Sequence, residues 1–155
     1  MAIKSIAATR LRLAELVDGA VGIGASPLSI ATGRVVLGHV RPAASSDFFA
    51  SLDSDGPFLV IGPDELAFTS GASFGPSFIR ANLFVAFDAQ DAENYTRVNN
   101  LLHKLRALWL TGSYTANQLV PNAVSWAQWT VETLNSPAVI KVPITISVPA
   151  PNTEV

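Results

Sequence analysis

Between Phe78 and Leu110 the sequence changes its hydrophobic period without a break. Ile79, Ala81, Leu83, Val85 and Phe87 alternate with Arg80, Asn82 and Ala86, the period-two pattern of a strand with one buried face. Val98, Leu101, Leu102, Leu105, Leu108 and Trp109 then recur at steps of three and four, which predicts a helix over residues 88–110. An apolar strand face and an apolar helical stripe each need cover, and here each is the other's nearest candidate. Leu83, Val85, Leu102 and Leu105 are therefore expected in one core. Asp88, Asp91 and Glu93 ahead of the stripe, with His103, Lys104 and Arg106 late in it, follow the helix dipole, and Gly112 stops the helix.

The remaining elements fit around this unit. Residues 3–18 read as an amphipathic helix ending at Asp18-Gly19. Strands are expected over residues 34–40, 58–62 and 65–69, the last two joined by the turn Gly62-Pro63-Asp64. Residues 124–134 read as one strand, which sends Trp126 and Trp129 to opposite faces and leaves one of them for solvent or a partner. In the final strand Ile140, Val142, Ile144, Ile146 and Val148 alternate with polar residues. Pro143 within it cannot donate a ladder hydrogen bond, so an edge position or a bulge is expected. The order is helix, four strands, helix, two strands, with mostly hairpin-length connections. This predicts an α+β fold: a mostly antiparallel sheet with the N-terminal helix and one long helix packed on one face. One domain is expected over residues 1–150, followed by a flexible tail at 151–155.

Two long loops interrupt the order, over residues 22–33 and 43–57. The second sets Phe48, Phe49 and Leu52 among serines and aspartates, so three large apolar side chains must be tucked onto this domain or a neighbour. Composition argues for neighbours. Only 14 % of the 155 residues are charged, against about 25 % in an average soluble domain, while 49 % are apolar. A sphere this small cannot bury all of that surface, so part of it is expected to face other subunits. Phe48, Phe49 and Leu52 are the expected interface residues.

Several function classes find little support. The purely apolar runs are strand-length, which leaves no membrane span to expect. The N-terminus carries Arg10, Arg12 and Glu15 in an amphipathic stretch where a secretory signal would be uninterrupted and apolar, so synthesis in the cytoplasm is expected. With no cysteine there is neither a disulfide nor a thiolate metal site. Net charge is −2 and no basic stripe alternates with aromatics, which argues against sequence-specific nucleic-acid binding.

The sharpest chemical motif is Gly71-Ala72-Ser73-Phe74-Gly75, which matches the nucleophile elbow of serine hydrolases. Asp88 or Asp91 followed by His103 supplies the chain order of a triad. A small hydrolase using Ser73 is the alternative of a different class. An elbow needs a helix directly after the serine, whereas Pro76 and a strand follow here. Gly22-Ile23-Gly24 lacks the preceding strand and third glycine of a dinucleotide loop, and His39 and His103 have no carboxylates at metal spacing. No catalytic, cofactor-binding or metal-binding residue is assigned.

In its arrangement the chain resembles the tail terminator, or tail-completion, proteins of tailed phages. The resemblance covers most of the chain. It rests on the N-terminal helix from Ile3-Lys4-Ser5 to Asp18, on the strand Phe78–Phe87 running into the helix that ends at Leu110, and on a closing strand pair that includes Val139–Ile146. It implies a ring, typically of six copies, that caps the tail tube, stops its polymerisation and docks to neck or head-completion proteins in the virion. The implied partners are further copies of the chain, the tube protein, the neck or head-completion protein and, in a contractile tail, the sheath. A neck or head-completion adaptor is the alternative within the same class.

Overall fold

The computed structural model describes residues 4–38, 50–68, 74–133 and 138–149; for 63–68 and 74–76 it describes the backbone only. Helix α1 (Ile6–Val17) begins where the Ser5 hydroxyl accepts the Ala8 N–H at 3.3 Å, and it ends where Gly19 takes a φ of 76°. The following loop is held rather than free. Gly22 N–H donates to Leu28 O, Ile30 N–H donates to Ala20 O, and Ile30 is fully buried.

Strands β1 (Val35–Leu37), β2 (Phe58–Phe68), β3 (Phe74–Ala86), β4 (Ala123–Trp126), β5 (Thr130–Thr133) and β6 (Ala138–Val148) form one sheet. Its order is β1-β2-β3-β6-β4, with β5 also on β6. Every pairing is antiparallel except that of β1 with β2, where Val35 lies beside Leu59. A parallel pair needs a crossover connection. The chain between β1 and β2 includes the one-turn helix α2 (Leu52–Asp55), where the sequence predicts loop.

The two strands expected at 58–62 and 65–69 are one. Gly62-Pro63-Asp64 forms a register shift between Ile61 and Asp64 instead of a turn, because β3 pairs with both sides of it. Pro143 does not lie on an edge. β6 is an interior strand, paired with β3 along its length and with β4 and β5 on its other side. Nor is the bulge in β6, whose register with β3 runs unbroken through Pro143; it lies in the chain facing it on the other side. Ile144 faces Trp126 and Lys141 faces Thr130, so three residues (127–129) stand opposite two (142–143). The ladder is thus interrupted where proline has no N–H to contribute.

Helix α3 (Asn94–Thr111) starts later and ends later than its charges suggest. Asp88 and Asp91 accept the N–H groups of Gln90 and Glu93 at 2.9 Å each, so they build turns ahead of the helix. His103, Lys104 and Arg106 fall short of the final turn, which holds no basic residue. Gly112 is the C-cap, where the backbone turns extended and no side chain fits. A Cβ there would lie 2.6 Å from a Leu16 methyl and 2.8 Å from Leu108 O, too close for any larger residue.

Both helices cover one sheet face. Leu83, Val85, Leu102 and Leu105 share one buried cluster with Leu13, Val17 and the even-numbered apolar residues of β6. Trp109, fully buried, donates its indole N–H to Leu13 O at 2.9 Å and so ties α3 to α1. Thr9 donates to Ser5 O and accepts the Leu119 N–H at 2.6 Å, which pins the segment after α3 to α1. On the opposite face a smaller cluster joins Leu52, Phe58, Val60, Phe84 and Val139.

Candidate functional site

The extra residue at 127–129 has a consequence for the tryptophans. In a continuous strand Trp126 and Trp129 would point to opposite faces. With the bulge inserted, both pack partly buried against the α3 side of the sheet. Trp129 stacks on Tyr95 of α3, with centroids 5.6 Å apart and planes at 18°, and Tyr95 also meets Phe87 at 6.2 Å. Trp126 meets the His103 ring edge-on at 5.5 Å. Between them runs an open groove of about 450 Å³ lined by Tyr95, Asn99, Trp126, Ala127, Gln128 and Trp129. No lining residue carries a formal charge. Ion pairs lie close by, Arg97 with Asp91 and Lys141 with Glu132. Sequence reasoning passed over Tyr95, Asn99 and Gln128, since what gathers them is a one-residue bulge. The available signal was the three-residue spacing of the two tryptophans together with Pro143 on the facing strand.

Phe48 and Phe49 lie outside the described residues. Leu52 is 2 % exposed and packs within this chain, so of the two resting places expected for it the intrachain one holds, and its side chain has no surface left for a neighbour. Arg34 secures this arrangement. Arg34 is 8 % exposed as a residue, and its guanidinium donates to Ser51 Oγ and Gly56 O at 2.7 Å each and sits 5.4 Å from the Phe58 ring centre. Burial lowers the Arg34 pKa, and the nearby Asp55 carboxylate opposes that shift.

Among the described residues, no hydrogen bond or ion pair joins the triad candidates Asp88 or Asp91 to His103. Ser73 lies outside the described residues, but β3 begins at Phe74, with Phe74 paired to Phe68, so a strand and not a helix follows it. Nine residues of helix separate Asn94 from His103, a rise of about 13 Å, and both aspartates ahead of Asn94 are engaged with backbone N–H groups. His103 is exposed against Trp126, and His39 lies outside the described residues. Among the described residues no three His, Cys, Asp or Glu side chains are placed to hold a metal, and no helix is long and apolar enough to cross a membrane.

No protein-family model matches the sequence, and no curated protein matches it. Among solved structures, a chain of the "Virion of native gene transfer agent (GTA) particle" aligns with 92 % of this chain and 90 % of its own length. The identity is 11 % and the TM-score 0.45, a likeness too remote to carry a function across.

Proposed function

We propose that this chain is a structural virion protein, a tail terminator that acts as one domain (residues 1–150) and closes into a ring, of six copies, on the end of a tail tube. In that role it works by shape, halting tube growth and offering its outer surface to neck or head-completion proteins. The reading rests on the sequence resemblance. The observation that carries it is the apolar surface left over after folding. Leu11, Val21, Ile23, Leu37, Val120 and Val131 remain 42–51 % exposed in a chain with few charges to keep it soluble. Surface of this kind suits a protein covered by copies of itself.

Light scattering on the eluting protein, alone and with assembling tube protein, tests the proposal. The expected results are a species six times the 16.4 kDa protomer and tubes of arrested length. Phe49→Asp is expected to weaken ring formation while leaving circular dichroism native. A chain that stays monomeric at every concentration and leaves tube growth unchanged would overturn the reading.

A further inference from the structure

We infer that the aromatic groove beside α3 receives the proline-containing segment that follows β6 in a second copy of this chain. After Val148 the sequence reads Pro149-Ala150-Pro151-Asn152, of which residues 150–155 lie outside the described structure. Two prolines at that spacing have φ fixed near −65° and favour the extended polyproline geometry. Such a segment has no internal hydrogen bonds and presents bare carbonyls with flat pyrrolidine rings. The surfaces that recognise it are aromatic grooves with neutral donors, and little ordering entropy is lost because the shape already exists. The groove answers on each count. Trp126, Trp129 and Tyr95 supply aromatic surface, Asn99 and Gln128 bring neutral amides able to donate, and no lining residue is charged.

Topology selects a second copy over the same chain. Ser147 pairs with Ala123, at the end of β4 remote from Trp126. The groove lies level with residues 141–144, five or so residues back along β6, or roughly 16 Å at strand rise. Pro149 and Pro151, one and three residues beyond Val148, can reach at most about 10 Å from it and so fall short of their own chain's groove. Tail and groove are different patches, so each subunit gives one and receives one, the heterologous contact from which closed rings are built. The inference stands apart from the tail-terminator reading, since it concerns how copies join and not what the assembly caps.

Two variants of the full chain test it by complementation. Pro149→Gly/Pro151→Gly keeps the groove and disables the tail, whereas Trp129→Ala keeps the tail and disables the groove. The expected outcome in sedimentation velocity is that wild type self-associates and that each variant alone does so at least about tenfold more weakly. An equimolar mixture is expected to regain a 1:1 heterodimer, one intact tail in one intact groove. Recovery on mixing cannot come from a misfolded variant. Should Trp129→Ala unfold, Gln128→Arg blocks the groove from its exposed rim in the same scheme. The inference fails if both variants associate like wild type or if the mixture shows no complementation. It fails equally if wild type is monomeric while the proline variant alters tryptophan fluorescence, which would put the tail in its own groove. A ring that survives both variants would sink this inference and leave the tail-terminator reading intact.

Discussion

Truncating Leu102 to alanine measures directly whether α3 is held by the sheet. Leu102 is 1 % exposed in the cluster that contains Leu83, Val85 and Leu105, so the change opens a void in the middle of the main core. Roughly three methylene-sized groups are lost, about 2.4 kcal/mol at ~0.8 kcal/mol each. A cavity that the packed sheet cannot refill adds about 1 kcal/mol, while alanine's better helix propensity returns a few tenths. The expected loss is about 3 kcal/mol. For a chain of this length that lowers the melting temperature by about 6–12 °C. In urea, at an m-value of about 2 kcal/mol/M, it moves the midpoint down by roughly 1.5 M with m unchanged. Leu11→Ala is the control. Leu11 is 51 % exposed on α1, and its truncation should stay within about 0.5 kcal/mol. A loss under about 1 kcal/mol for Leu102→Ala, matching the control, would refute the packing of α3 on the sheet.

Thr9→Val keeps the shape but strands the Leu119 N–H in the interior; a loss of about 1–3 kcal/mol is expected, with faster hydrogen exchange at Leu119. Arg34→Met removes both bonds that hold α2, at about 2 kcal/mol, and should open residues 50–57 to limited proteolysis before the rest of the chain. Burial pushes the Tyr114 phenol up to about 12, with Arg12 opposing, while the hydroxyl donates to Trp109 O. The fold thus favours the neutral phenol. Its contribution is complete below pH 10 and is lost as pH rises from about 10 to 12, about 1 kcal/mol once solvent screening is allowed for. Tyr114→Phe should flatten that part of the urea-midpoint profile, and an unchanged slope would count against the assignment.

Periodicity carried the long elements. The alternation in β3 and β6 and the three-and-four spacing in α3 were legible because one face of each is buried along its described length, and burial leaves a repeating imprint. What escaped were features set by pairing. Gly62-Pro63-Asp64 has the composition of a turn, but β3 extends past it and converts it into a register shift. The parallel β1–β2 pair and the four-residue α2 have too few residues to show a period. The groove was hidden for the same reason. Side-chain parity on β5 depends on one inserted residue, and nothing in residues 124–134 alone marks where the ladder on β6 breaks. Phe48 and Phe49 lie outside the described residues, so the interface assigned to them stays a proposal, whereas Leu52 belongs to the chain's own packing.

The interrupted edge formed by β4 and β5 bears on how such an apolar chain avoids fibril formation. A long, straight, unpaired strand is a template on which further strands add without limit, and low charge does nothing to discourage it. Among the described residues, the border made by β4 and β5 offers no such template. It is cut into two four-residue pieces by the kink at 127–129. Cross-β growth favours runs of about six or seven in-register residues, longer than either of these two pieces. Along this border, side-chain contacts, which saturate once a finite assembly is complete, are left as the way for copies to recognise one another.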